Sequence, residues 1–183
     1  MELLEEKELQ NVRLLGEMTR YDIIRGASPE PWKDPMSVRI RGYQFRFAGI
    51  HCDREAKELI LKFNLSAAGH TNQSVYIQLV DFFDLLDANE SSEKKVSLPS
   101  LLNTVIMQGE VKVYCTCPAW IYTGSKYIAT KLGYAYGSQE NRFPRIRNPK
   151  LMGTVCKHAF IILKALPYQK FGIASMIKKE LKL

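Results

Sequence analysis

Two short motifs carry the clearest chemical signal in this 183-residue sequence. The first is a C-x-C-P motif with Cys115 and Cys117, and the second is a C-x-H motif with Cys156 and His158; 38 residues separate the two motifs' ligands. Three thiols and one imidazole form a ligand set that suits a tetrahedral zinc ion. Because four protein ligands leave no coordination position for water, we predict one structural, non-catalytic zinc ion.

The ligand spacing predicts the local structure that must position these side chains. In a regular strand Cys115 and Cys117 would point to opposite faces, so we expect the strand to turn at Thr116. We expect Cys156 and His158 to straddle the start of a helix. One ion would then join a strand end to a helix start, and chelation should unfold at least this half of the protein. The alternative is that the cysteines are small buried apolar residues, although two close pairs of soft ligands favour a metal.

The remaining chemistry-bearing residues predict no reaction. His51 and Cys52 are adjacent, but no second ligand pair and no orienting partner accompanies them, and their role stays open. The sequence contains neither a glycine-rich phosphate loop nor a nucleophile elbow. We therefore expect a protein that is not an enzyme.

The composition indicates the broad class of protein. Hydrophobic residues make up 46% of the chain and charged residues 25%, which is typical of a globular domain. No apolar run reaches the roughly 18 residues of a spanning helix, and Glu2, Glu5 and Glu6 are atypical of a signal or transit peptide. We expect a soluble protein with no membrane partner, made in a reducing compartment, whose four cysteines are metal ligands or free thiols.

Charge is distributed unevenly along the chain. Residues 1–110 hold 13 Lys and Arg against 17 Asp and Glu, a net −4, whereas residues 111–183 hold 13 against 2, a net +11. A basic half suggests a polyanionic partner. The alternative is a basic face that contacts the acidic half of a neighbouring copy.

The first half of the chain predicts a helix followed by β structure. Residues 2–15 are typical of a helix, and three prolines make residues 26–37 a linker. From residue 38 apolar and polar side chains alternate, with a change of phase at Gly42 that indicates a bulge or a bend. The alternation returns over 59–65 and again over 74–80, and a short helical or irregular piece and a polar loop follow.

The second half predicts helices around one strand. Ser97, Pro99 and Gly109 delimit a helix over 99–108, and Val111 begins a strand that continues to Cys115. Further helices are predicted over 125–132, 159–166 and 170–182. The fold class is therefore α+β: a small, mostly antiparallel sheet and a zinc-stabilised α/β unit with a long insert, flanked by N- and C-terminal helices.

Four regions follow from this pattern. They are an N-terminal helical arm (1–25), a β-rich region (38–96), a zinc-binding region with an insert over 119–155 (97–166), and a C-terminal helix (167–183). We expect the two terminal helices to contact other subunits.

The insert combines aromatic residues with a basic run. Its aromatic residues either stack bases or form a small core under a loop that zinc holds at both ends. Arg142, Arg145, Arg147 and Lys150 are candidates for contacts with nucleic acid phosphates or with carboxylates of a neighbouring protein.

The ligand pattern over residues 111–166 resembles the SWIM zinc-finger family. The four ligands map onto Cys115, Cys117, Cys156 and His158, and the proline after the second cysteine and the apolar helix after the histidine are also similar. Many SWIM modules have a short gap, whereas this one holds 38 residues. The resemblance implies a partner that is DNA or a protein.

The segments 120–122, 127–134, 142–149 and 153–158 together resemble zinc-binding proteins of large tailed bacteriophages, which are regarded as virion components. This resemblance implies a structural protein of the tail, baseplate or neck, made in the bacterial host cytoplasm and located in the virion. Its partners would be other virion proteins and copies of itself. The alternative function is a nucleic-acid-binding zinc protein that uses its basic half.

Overall fold

The computed structural model describes residues 18–26, 42–69 and 71–183. These residues form the predicted α+β fold, in which a four-stranded antiparallel sheet packs against helices. The strands are hydrogen-bonded in chain order: β1 (Gln44–Asp53), β2 (Glu58–Ser66), β3 (Gln73–Leu79) and β4 (Val111–Cys115). The predicted helix over 2–15 lies outside the described residues, as does all but the first residue of the linker over 26–37.

Seven α-helices and one 3-10 helix occur among the described residues. They are α1 (Arg20–Gly26), α2 (Phe82–Ser91), α3 (Leu98–Gln108), α4 (Pro118–Tyr122), α5 (Ser125–Lys131), α6 (Lys157–Ala165), the 3-10 helix (Leu166–Gln169) and α7 (Lys170–Leu181). The predictions for α3, α5, α6 and α7 are confirmed to within two residues. The sequence did not predict α4, and α2 extends into the segment 88–95 that was predicted to be a loop.

Alternating side chains explain why the sheet has one buried face. Leu61 and Phe63 of β2 and Ile77 of β3 are fully buried, while Lys62 and Tyr76 between them point to the opposite face. The buried face, which we call the inner face, is covered by helices: α2 contacts β2, α6 contacts β3 and β4, and α7 contacts β1. The other side is the outer face.

The phase change at Gly42 marks a bend. Gly42 lies in a turn before β1 with φ +79°, a backbone conformation that glycine adopts without strain. The bulge itself falls within β1, where the register with β2 shifts between Phe47 and Gly49.

The far edge of β4 is paired with two distant segments. The Val111 amide donates to the Met18 carbonyl at 3.2 Å, and the Val113 amide donates to the Tyr134 carbonyl at 2.8 Å. The Tyr136 amide in turn donates to the Val113 carbonyl at 2.9 Å. The insert is therefore attached to the sheet along β4, and one continuous apolar core includes both the sheet and the cysteine region. In the described part of the chain, no helix is long and apolar enough to cross a bilayer.

Candidate metal centre

The first ligand pair lies where β4 ends and α4 begins. Cys115 is the last residue of β4, and Cys117 is the N-cap of α4, with its sulfur accepting a hydrogen bond from the Trp120 amide at 3.3 Å. Between them, Thr116 is tied to β3 through the Ser74 amide, which donates to the threonine hydroxyl at 2.9 Å. The strand thus ends at Cys115, and the turn at Thr116 brings both thiols to one side, as the spacing predicts.

The second ligand pair lies at the start of α6. Cys156 is the N-cap residue with extended backbone angles, and His158 is in the first turn. The helix then presents Ala159, Ile162 and Leu163 to the core, so its position is fixed by apolar packing as well as by its ligands.

The four side chains meet in one buried cluster. Their ligand atoms all lie within 4.8 Å of one another, and Sγ of Cys115 is 4.0 Å from Nδ1 of His158. In a tetrahedral zinc site with these ligands, neighbouring ligand atoms are about 3.4–3.8 Å apart, so the cluster is close to the required size. Cys115, Cys117, Cys156 and His158 are thus close enough together to hold a metal ion, and the donor set fits a soft divalent cation.

Electrostatics within the cluster favour a bound cation. Hydrogen bonds from Cys115 and Cys156 lower the pKa of the Cys117 thiol far below its usual range. The hydrogen bond with Cys117 raises the pKa of Cys115, and burial raises the pKa of Cys156. One thiolate is therefore favoured, and further ionisation is opposed because buried like charges repel. A divalent cation would reverse this balance, since thiols that bind a metal are deprotonated.

Two residues that the sequence did not single out contact α6, one at each end of the helix. The Tyr43 ring packs edge-on against the His158 ring with centroids 5.0 Å apart, and Lys157 Nζ lies 4.7 Å from the Tyr43 centroid. Arg20, which is buried, donates from Nε to the Ile106 carbonyl at 3.2 Å and from Nη1 to the Leu163 carbonyl at 3.1 Å. Arg20 thus joins the C-terminal ends of α3 and α6. No local pattern marks either residue, because both contacts are distant in sequence.

The basic run of the insert divides into one paired and three unpaired side chains. Arg142 donates from Nε and Nη2 to the two carboxylate oxygens of Glu140 at 2.9 and 2.7 Å. These hydrogen bonds lower the pKa of Glu140 to about 2. In the described part of the chain, Arg145, Arg147 and Lys150 are exposed and form no ion pair.

The aromatic residues of the insert have different environments. Trp120 and Tyr134 are fully buried, and Tyr134 donates its hydroxyl to the Thr154 carbonyl at 2.6 Å. Tyr127 packs edge-on against Phe143 with centroids 5.6 Å apart. These contacts form a small core beneath the insert. A further insert tyrosine, at position 136, is only half-buried and lies against the outer face of the sheet.

His51 and Cys52 do not belong to the cluster. His51 is exposed, with Nε2 3.8 Å from a carboxylate oxygen of Glu58. Burial raises the pKa of Cys52 to about 11, so this thiol is protonated at neutral pH. Within the described residues, the four-residue cluster is the single group with metal-ligand geometry.

In comparisons with protein-family models, curated proteins and solved structures, no family model, no curated protein and no solved structure matches the chain. The cluster and the α+β fold therefore define its class by themselves: an α+β protein with a buried Cys3His candidate metal site.

Proposed function

We propose that the protein is a non-enzymatic assembly protein in which one structural zinc ion fixes a protein-interaction loop. The observation that carries the proposal is the buried cluster of Cys115, Cys117, Cys156 and His158 at the two ends of the insert. Zinc is the proposed metal because three thiolates and one imidazole are typical of closed zinc sites. Such a site leaves no position for substrate, which supports a structural role.

The loop that the metal would fix presents an exposed tip, Arg145–Ile146–Arg147, which we call the arginine knuckle. Ile146 is 94% exposed, and both flanking arginines lack carboxylate partners among the described residues. Asn148 anchors the tip, since its side-chain amide donates to the Met152 carbonyl and accepts from the Met152 amide, at 2.9 and 2.8 Å.

An exposed apolar residue between two arginines suits an acidic protein surface with a small apolar depression. Arginine is enriched at protein interfaces and binds carboxylates through two parallel hydrogen bonds. The resemblance to SWIM modules and to phage zinc-binding proteins supports other virion proteins, and copies of this chain, as the partners. The proposed location is the tail, baseplate or neck of a tailed bacteriophage particle.

Metal content tests the zinc site. We expect about one zinc per chain in freshly isolated protein. Cys156→Ser should lose the metal, and Cys52→Ser, which changes a thiol outside the cluster, should retain it. Folded protein without bound metal would contradict the proposal.

Incorporation into particles tests the assembly role. The wild type should co-sediment with purified particles, and Arg145→Gln combined with Ile146→Ser should reduce its incorporation. Val96→Ser is the matched control, because Val96 is also exposed but lies between α2 and α3, outside the insert and the terminal helices. Wild-type protein found only in the supernatant would contradict the assignment.

The second candidate function is nucleic-acid binding, which the charge of +11 in residues 111–183 favours. If this half neutralises Z phosphates, the logarithm of the affinity should fall with the logarithm of the salt concentration at a slope of about −0.9Z for duplex DNA. Absence of binding at low salt would eliminate this candidate.

A further inference from the structure

The outer face of the sheet carries a row of tyrosines. Lys62, Tyr76 and Tyr114 lie side by side on β2, β3 and β4, because Lys62 pairs with Tyr76 and Tyr76 with Tyr114 in the register of the strands. The Tyr76 and Tyr114 centroids are 6.0 Å apart. Tyr136 from the insert extends the row, stacked on Tyr76 with centroids 6.4 Å apart and an interplanar angle of 27°. All three tyrosines are half-buried, so part of each residue is accessible to solvent.

Cationic side chains accompany the tyrosines. Lys62 Nζ is 5.6 Å from the Tyr76 centroid, and Lys126 Nζ is 6.0 Å from the Tyr114 centroid. A cleft of about 420 Å³ that includes Arg46 and Lys62 lies on one side of the row. A second cleft, of about 550 Å³, includes Lys112 and lies on the Tyr136 side.

Two carboxylates lie near this face, and only Glu110 lies beside a permanently charged side chain, since His51 is charged only when it is protonated. Glu58 lies 3.8 Å from His51, and Glu110 lies 3.8 Å from Lys112. Among the described residues, neither Lys62 nor Lys126 forms an ion pair within 4.0 Å; Lys126 donates to the Ser138 hydroxyl at 3.0 Å and interacts at longer range with Glu140, whose carboxylate is bound by Arg142. The centre of the face therefore favours an anion.

The residue types favour nucleic acid over a protein surface. Tyrosine is common at protein interfaces too, but lysine is depleted there, whereas Lys62 and Lys126 lie against the tyrosine rings of this face. In proteins that bind single-stranded nucleic acid, unpaired bases stack on aromatic rings of a sheet, and neighbouring basic side chains contact the phosphates. Spacings of 6.0 and 6.4 Å place neighbouring rings within reach of successive bases of an extended strand.

We propose that the outer face binds single-stranded nucleic acid, with Tyr76, Tyr114 and Tyr136 stacking bases and Lys62 and Lys126 contacting phosphates. This inference rests on the second candidate function, nucleic-acid binding, and assigns it to the outer face. It does not depend on which partner the arginine knuckle binds.

The test measures binding of fluorescein-labelled dT20 to the full chain by fluorescence anisotropy at 50 mM and 200 mM NaCl. We expect tighter binding of dT20 than of a 20-base-pair duplex. Tyr76→Ala and Tyr114→Ala should each weaken binding by about 5- to 100-fold, the usual effect of losing one base–aromatic stack. The Lys62→Gln variant should make the salt slope shallower by about 0.7. Tyr168→Ala is the control and should bind like the wild type.

The remaining outcomes separate this inference from the other proposals. If a tyrosine variant fails to fold, Lys62→Glu with Lys126→Glu replaces it, since these changes leave the rings in place and should still abolish binding. Loss of dT20 binding in Arg145→Gln with Arg147→Gln, but not in the sheet variants, would show that the outer face is not the binding surface. Nucleic-acid binding would then remain a candidate function of the protein. If the wild type does not bind dT20, the proposal for the outer face is wrong. Zinc content and particle incorporation would still test the assembly role.

Discussion

In β2 and β3 every second side chain is apolar and buried, whereas the insert buries polar groups together with a few large rings. Of the five buried polar residues in the described part of the chain, Ser125, Glu140 and Asn148 belong to the insert. The sheet is therefore stabilised mainly by burial of apolar area, which needs no particular partner atom. The insert depends on particular hydrogen bonds and, as we propose, on a metal at its two ends. From this comparison we infer that the stability of the insert responds to metal and to pH, whereas the stability of the sheet does not.

Removing the metal should produce the largest difference in stability between the insert and the sheet. Structural zinc contributes roughly 10 kcal/mol of apparent folding free energy in zinc-finger peptides, which is comparable to the whole stability of many domains. After chelation, or in Cys156→Ser, we expect amide hydrogen exchange to accelerate across residues 116–166 far more than across β2 and β3. Cys52→Ser should exchange like the parent. A Cys156→Ser variant that melts at the parent temperature would show that the site is not structural.

Replacing Arg20 should test the contact between α3 and α6, the helix that begins at the second ligand pair. Arg20→Met leaves the carbonyls of Ile106 and Leu163 without their charged donor, and hydrogen bonds to charged groups contribute about 1.5–3 kcal/mol each. We expect a loss of about 3 kcal/mol in the free energy of unfolding, measured by urea denaturation. Arg25→Met, an exposed change on the same helix, should stay within about 0.5 kcal/mol. Equal stability of the two variants would contradict the role of Arg20.

Removing the loop anchor should affect the insert alone. Asn148→Ala deletes both side-chain hydrogen bonds to Met152 and leaves partly buried backbone groups unsatisfied, at a cost of about 1–3 kcal/mol. Faster exchange should be confined to residues near the arginine knuckle. Asn141→Ala changes an exposed asparagine of the same loop and should have little effect. Faster exchange in β2 would mean that the loop and the sheet are more tightly coupled than we infer.

The smallest expected effect is the pH response of Glu140. Its pKa is lowered to about 2 by hydrogen bonds from Arg142, against an ordinary value of 4.5. The Glu140–Arg142 pair therefore contributes fully to the free energy of unfolding above pH 4.5, and this contribution is lost as the pH falls towards 2. A carbon-detected NMR titration of Glu140 should give a midpoint near 2 in the wild type and a higher one in Arg142→Gln. An unchanged midpoint would exclude Arg142 as the cause.

The regular elements were predictable because their signals are local. The alternation over 59–65 and the proline and glycine at the ends of α3 are read from neighbouring residues, and both elements are confirmed. The five-residue helix α4 was missed because it is too short to show a period. The loop expected from residue 88 was wrong up to Ser91, since α2 continues over polar residues on its exposed side.

The candidate site was predictable in its members but not in its surroundings. Two motifs identify the four ligand residues, because ligand chemistry depends on residue type and close spacing. The packing of Tyr43 on His158 and the pairing of Arg142 with Glu140 have no such signature. Arg142 was therefore grouped with Arg145 and Arg147, although its guanidinium already has a partner.

The sequence by itself determined the alternation of the strands, the ends of the longer helices and the four side chains that could share one ion. Only the tertiary structure decided that β4 pairs with β3, that the insert runs along the free edge of β4, and that Tyr136 reaches Tyr76. The physical reason is that side-chain type and spacing act over a few residues, whereas these contacts depend on which distant surfaces bury each other when the whole chain folds.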